Sequence, residues 1–440
     1  MDVPERTYPD QWRVTYRGKV MKKLFLLMLT MAVAVSFAMP AMATDARVMA
    51  LGNTQNYLED DYNIFAWPAT LPSYANLVMI GLCGDPDYCC EYYYPYYANG
   101  WEGYYCQTIM GGILGLGEDN KYGALGMFFF EGTPGINPIP YSEFYGAWEF
   151  EYLFASTIYN KFNVLWGYDM EGLSFGFNFE RADQMWKEEN DVEYENKHAY
   201  TKFAASVRFD VGEAGYADLA FNVAFASMTD TLDGYGERTE DGNMLWGVQG
   251  RMFYEYSEMF TFVPYIGVSM FDFSTKVQRN SEDYADYYYG EKGMMFNTGF
   301  GIDMTVNEDN MLLFAIEPYS FGKFEPSEPP DGVEAWGKVV YFPRFRLALE
   351  SDVKDWLTFR AGCVKELQKT EVFYSYEDDE STYTDTCGDF YYMMGLGFHI
   401  GDFDIDCVVN NELPFTMGYW LTGFENTEQP IWMLTALYHF

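Results

Sequence analysis

Bulky apolar residues recur at every second position along much of the chain. In 173–180, Leu173, Phe175, Phe177 and Phe179 alternate with Ser174, Gly176, Asn178 and Glu180. Leu219, Phe221, Val223 and Phe225 alternate with Asp218, Ala220, Asn222 and Ala224; Phe296, Phe300, Ile302, Met304 and Val306 with Asn297, Gly299, Gly301 and Asp303. Tyr341, Pro343, Phe345, Leu347 and Leu349 alternate with Phe342, Arg344, Arg346, Ala348 and Glu350. Successive side chains of a strand point to opposite faces, so each run predicts a strand with one bulky face and one small or polar face. Such strands fit a wall between lipid and a polar lumen better than a sandwich, whose bulky face would be its core.

The connections alternate in length. Short polar turns are expected at 169–172, 212–215, 257–258, 307–310, 351–354 and 401–402. Longer acidic or Pro-rich stretches fall near 182–199, 229–242, 275–291, 323–335, 375–388 and 412–429. Short periplasmic turns alternating with long external loops predict an all-β, antiparallel, up-and-down transmembrane β-barrel. With both ends on the periplasmic side the count is about 14 strands, and 16 is the alternative; the hairpins around 107–158 are the hardest to place. No repeat of fixed period suggests a propeller or solenoid.

The two ends of the chain speak for export. Met21-Lys22-Lys23, the apolar run Leu24 to Phe37 and Ala41-Met42-Ala43 form the three parts of a secretory signal peptide, with an apolar run too short for a spanning helix. Residues 1–20 are read as an upstream start-site extension, 21–43 as the signal peptide, and the mature chain as beginning near Thr44. At the other end Trp432, Leu434, Ala436, Tyr438 and Phe440 share one face. That ending resembles the C-terminal signal by which outer-membrane barrels are recognised by their insertion machinery. The expected location is the outer membrane, reached by the general secretory route.

Composition narrows the reading. After residue 43 no stretch approaches the ~18 consecutive apolar residues of a helical span. Yet 49% of residues are hydrophobic and 20% aromatic, which a barrel distributes over an outer apolar band and two aromatic girdles. A net charge of −39 excludes nucleic acid as a partner, because phosphate binding needs a basic surface. The acidity is read as solvated loops, with a loop-bound divalent cation as the second reading; no resident cofactor or metal is expected. Export makes disulfides the default for the seven cysteines. Cys83, Cys89, Cys90 and Cys106 could form two bridges in any of three connectivities, and Cys363 and Cys387 could clip a loop.

Ahead of the barrel, residues 44–104 form a separate segment, with the barrel assigned to 105–440. Arg47-Val48-Met49-Ala50-Leu51-Gly52, the pair Asp60-Asp61, and Ile64-Phe65-Ala66-Trp67-Pro68-Ala69-Thr70-Leu71 resemble the N-terminus of the fatty-acid and hydrocarbon transporter type of outer-membrane protein. That resemblance implies a luminal plug, or hatch, and hydrophobic cargo. Trp67 and Thr70 depart from the family's Asn and Gly, and the Gly-rich stretch between those elements is missing.

Chemistry is sparse. Gly172-Leu173-Ser174-Phe175-Gly176 matches the nucleophile-elbow pattern, but that motif needs a strand–turn–helix and Ser174 falls within a strand. Of the three histidines, only His399 could serve a nucleophile, and no enzyme is expected. The alternation instead places Lys202, Arg208, Arg251, Arg344, Arg346 and Arg360 in the lumen with Glu180, Asp210, Asp303 and Glu317. These charges either form a constriction that filters solutes or pair across strands to fill a polar interior. The expected function is an outer-membrane channel or transporter for small, hydrophobic or amphipathic solutes. The alternative is a non-transporting surface barrel whose loops bind partners through Tyr92-Tyr93-Tyr94-Pro95-Tyr96-Tyr97 and Tyr287-Tyr288-Tyr289.

Overall fold

The computed structural model describes residues 45–83, 108–131, 161–189, 193–232, 236–279, 287–326, 333–376, 379–409 and 431–440. The signal peptide, Cys89, Cys90, Cys106 and the Tyr92–Tyr97 cluster lie outside them.

Sixteen antiparallel strands close into a barrel. They are β1 (Leu77–Cys83), β2 (Thr108–Gly115), β3 (Ala124–Glu131), β4 (Lys161–Met170), β5 (Leu173–Glu189), β6 (Glu193–Asp210), β7 (Gly215–Leu232) and β8 (Gly236–Ser257). The second half comprises β9 (Phe260–Arg279), β10 (Tyr287–Asn307), β11 (Asn310–Pro326), β12 (Val333–Lys354), β13 (Leu357–Tyr376), β14 in two segments (Asp379–Cys387 and Phe390–Ile400), β15 (Phe403–Val409) and β16 (Ile431–His439). Both segments of β14 pair with β13, one above the other, so they count as a single strand. β1 pairs with β2 on one side and β16 on the other, which closes the wall and leaves no edge.

The count of 16 replaces the favoured 14. One reason lies in β1, within the segment assigned to the hatch. Its sequence LVMIGLC is apolar throughout, because Val78, Ile80 and Leu82 face outward while Leu77 and Met79 are buried against the N-terminal segment. A strand with two apolar faces carries no alternation to read. The barrel therefore starts at Leu77, not at 105. The turn expected at 351–354 falls just beyond that stretch, at Asp355-Trp356.

Facing follows the alternation closely. Phe177, Phe203, Leu219, Phe221, Phe225, Ile266, Phe300, Phe314 and Leu347 are exposed on the outer wall, whereas Asn178, Glu180, Ser206, Asp218, Arg251, Arg346 and Arg360 are buried inside. One stretch departs from it. Tyr341 is 7% exposed and Phe342 64%, the reverse of the expected faces. Tyr341 pairs with Gln368 and Arg344 with Glu366, so three steps on β12 match two on β13. That extra residue is a bulge, and it inverts parity for every residue upstream.

Residues 45–76 pack inside the wall as a helix α1 (Asp45–Ala50) and two 3₁₀ turns, Asp61–Phe65 and Pro68–Tyr74. Gly52 (φ +73°) ends α1 in a Schellman arrangement: Gly52 N–H donates to Met49 O and Asn53 N–H to Val48 O, 3.0 Å each. Asp60 caps the first 3₁₀ turn by accepting from Tyr62 N–H at 2.9 Å. Close approach to the wall relies on glycines there: a Cβ on Gly362 would lie 2.3 Å from the Gly52 nitrogen, and one on Gly176 would lie 2.0 Å from the Pro68 carbonyl carbon.

Candidate functional site: a charged lumen that grips the N-terminal segment

The interior has two unlike sectors. Over β1–β3 and Leu165 of β4 it is apolar: Leu77, Met79, Ile109, Ile113, Phe128 and Leu165 pack against Ile64 and Leu71 of the N-terminal segment, with Phe65 beside them. From Lys161 of β4 round to β15 it carries ion pairs. At those depths a charge is tolerable inward and costs about 2–4 kcal/mol outward, which accounts for the facing of the arginines.

Three arginines hold the N-terminal segment. Arg346, on β12, donates through Nη1 to the carbonyls of Gly52 (2.8 Å) and Asn53 (3.1 Å), and through Nε to Glu317 on β11 (3.0 Å). Arg251, on β8, donates to the carbonyls of Gln55 (2.9 Å) and Leu58 (3.2 Å) and to Asp218 on β7 (2.9 Å). Its guanidinium lies 4.7 Å from the centre of the buried Trp67 ring. The third is Arg47 of α1, whose bidentate pair with Glu350 on β12 measures 2.6 and 2.8 Å. Asp60 stands 3.5 Å from Arg47 on its other side. Ala69 N–H adds a bond of 2.6 Å to Ser206.

Other sequence-predicted charges complete the wall. Arg344 bridges Glu317 (2.9 Å) and Glu366 (2.8 Å), and Arg360 bridges Glu350 (2.5 Å) and Asp406. Arg208 pairs with Asp218 at 2.7 Å and reaches Glu59 at 2.5 Å. Glu180 receives Lys161 (3.5 Å), Lys202 (3.6 Å) and Asn163 (3.1 Å). Asp303 faces the Arg47–Glu350 pair from β10. Asp210 is exposed at the short-turn end of β6, beside Gly172, two residues beyond Arg208 on the same strand. The charges thus pair across strands, and they also bind backbone carbonyls of the N-terminal segment. The partners Glu59, Asp218, Glu350, Glu366 and Asp406 went unrecognised at the sequence level, although Asp218 and Glu350 sat on polar faces already identified.

Asp60 and Asp61 form a buried acidic pair. Burial holds a proton there above the usual carboxylate range: Asp60, facing Arg47, is pushed up to about 6, and Asp61, buried and repelled by the Asp60 carboxylate, is raised well above its ordinary value.

At the short-turn end, four strands meet through one hydrogen-bonded string. The Thr358 hydroxyl donates to Asp352 (2.5 Å) and lies 2.9 Å from His399 Nε2; His399 Nδ1 is 2.6 Å from Asp404. His439 on β16 stands beside it, its Nε2 3.3 Å from the other Asp404 oxygen as an ion-pair contact. The order resembles a hydrolase relay. However, Thr358 is fully buried and its proton is committed to Asp352, so this string ties strand ends together. Ser174 likewise donates to Asp169 at 2.6 Å, with no elbow around it.

The expected Cys363–Cys387 clip is absent, and both are free thiols, as is Cys407. Cys387 sits opposite Gln368, five residues along β13 from Cys363, which places the two about 16 Å apart, beyond disulfide reach. Cys83 ends β1.

A closed barrel with an apolar exterior and a charged interior defines the class: a transmembrane β-barrel of the outer-membrane kind. No family model matches the chain, and no curated protein matches it. Among solved structures it is similar to the CymD monoaromatic hydrocarbon channel (TM-score 0.39, 8% identity, 92% of this chain and 99% of that one). It is also similar to the toluene transporter TodX of Pseudomonas putida (0.37, 9%, 91% and 97%) and the alcaligin outer-membrane receptor FauA of Bordetella pertussis (0.38, 6%, 84% and 76%). At such scores none of these likenesses bears on what this chain handles.

Proposed function

We propose that the protein is an outer-membrane channel for small hydrophobic or amphipathic solutes, gated by its own N-terminal segment. The observation that carries this reading is the grip of Arg346 and Arg251 on the carbonyls of Gly52, Asn53, Gln55 and Leu58. These contacts are non-covalent, so the segment can leave the lumen without any covalent bond breaking. The apolar sector over β1–β3 and Leu165 supplies an inner surface suited to an apolar cargo once the segment shifts. The experiment is single-channel conductance in a planar bilayer for the intact protein and for a deletion of 45–76, which spares β1. Low conductance in the intact protein and a steady, larger conductance after deletion is the expected result. Silence in both would move the reading to a non-transporting surface barrel.

A further inference from the structure

The outer wall of β8–β12 carries a site the lumen does not explain. Three neighbouring rows of outward residues cross these strands. The first, Val248, Val268, Phe296, Phe321 and Val340, is apolar. The next, one step toward the long loops, is Trp246, Met270, Met294, Lys323 and Lys338; beyond it lie Met244, Asp272, Lys292 and Glu325. Apolar wall therefore gives way to charge within two steps.

The level of that change is fixed by the strands themselves. From the outward row containing Tyr254, Phe262 and Ile302 to the row containing Trp246, Met270 and Met294 is eight residues on each strand. Eight residues span about 27 Å along a strand, or about 21 Å of height at a tilt of ~40°, close to the apolar band of such barrels. The lysines therefore stand at the headgroup level of the outer leaflet.

Two features make this more than a polar rim. The rows border a cleft of about 400 Å³ whose lining includes Trp246, Met270, Met294, Asp272, Lys323 and Glu325, with Lys338 one strand beyond it on β12. In addition, Lys323 and Lys338 are direct cross-strand partners. Like charges in that position repel. Their carboxylate neighbours stand off at 3.6 Å (Glu325 to Lys323) and 3.7 Å (Glu371 to Lys338), all four side chains being at least one quarter exposed. Solvent screening leaves such pairs weak. An anion lying between the two ammonium groups would relieve their repulsion.

We propose that this cleft binds one outer-leaflet lipid with an anionic phosphate headgroup. Its phosphate would lie at the β11 edge of the cleft, between Lys323 and Lys338, and an acyl chain would run along the row of Met294, Met270 and Trp246. The site is independent of the gating reading, since it lies on the opposite face of the wall.

The test uses the full-length protein refolded in vesicles of phosphatidylcholine containing a second lipid with brominated acyl chains, which quench tryptophan on contact. The Trp246 signal is isolated as the difference between the protein and Trp246→Phe. We expect brominated phosphatidic acid to quench Trp246 at least three-fold more effectively than brominated phosphatidylcholine. Lys323→Gln with Lys338→Gln should abolish that preference, while Lys323→Arg with Lys338→Arg retains it. Heat-modifiable gel mobility confirms that each variant is folded. Equal quenching by the two lipids, or a preference that survives the glutamine pair, would overturn the proposal. Loss of the preference on adding millimolar inorganic phosphate at constant ionic strength would assign the site to free phosphate instead, and would overturn the lipid as occupant.

Discussion

Arg346 illustrates what one side chain does here. Its side chain is 1% exposed and paired with Glu317, and its Nη1 donates to two carbonyls of a segment nearly 300 residues away in sequence. Arg346→Ala leaves Glu317 with less compensation and those carbonyls without a donor. Breaking such a buried pair costs about 3–5 kcal/mol. The expected outcome is protease cleavage within residues 45–58 under conditions where the wild-type segment resists, with the barrel's heat-modifiable mobility unchanged. Arg346→Lys should be intermediate, because an ammonium cannot serve the carboxylate and two carbonyls in one plane.

The Asp60–Asp61 pair makes a second prediction at this scale. Arg47 and Asp406 are the charged groups that act on it, so carboxylates outnumber guanidinium groups there. In the seated segment these two acids bind protons more tightly than in the released one. Asp60 moves from 3.8 to about 6. Through these two acids seating is therefore strongest below pH 4 and weakens as pH rises from 4 to 6 with the ionisation of Asp60, Asp61 acting in the same direction. Protease protection of residues 45–58 should fall over this interval, and Asp61→Asn should flatten the fall. A protection profile that is flat in the wild type would remove the argument.

Elements meet here mainly through backbone proximity. The Schellman ending of α1 brings Gly52 against Gly362 of β13, where neither residue has a side chain to intervene. Gly362→Val would place a branched side chain where the Gly52 nitrogen already stands. It should dislodge α1 while leaving β13 paired, since Val suits a strand. The readout is again protease access to residues 45–58, set against unchanged circular dichroism in the strand region. β1 shows the same coupling from the other side: its inward Leu77 and Met79 are apolar because the N-terminal segment packs on them.

For the whole molecule, closure depends on a seam between chain segments far apart in sequence. β1 and β16 pair over Leu77–His439 to Cys83–Met433, and Phe440 N–H donates to Asn76 O at 3.1 Å. Removing residues 431–440 would open the seam and expose the backbone groups of β1 and β15 to lipid, at several kcal/mol for each group left unsatisfied. Such a truncation should fail to give a heat-modifiable folded band in vesicles, whereas the 45–76 deletion should still give one.

The sequence by itself determined the barrel class, the facing of most strands and the inward placing of Arg251, Arg344, Arg346 and Arg360. These follow from a two-residue period that any lipid-facing strand must obey, so they are local. It could not determine β1, whose alternation vanishes because both faces are apolar, nor the faces of Tyr341 and Phe342, where one inserted residue reverses parity. The sequence also could not tell which carboxylate each arginine meets, nor that their other donors hold residues 52–58. Only the tertiary structure decided those, because closing the barrel brings residues hundreds of positions apart to one height in the lumen. The same closure sets Lys323 opposite Lys338 on the outer wall, where register across strands, invisible along any one of them, fixes the neighbours.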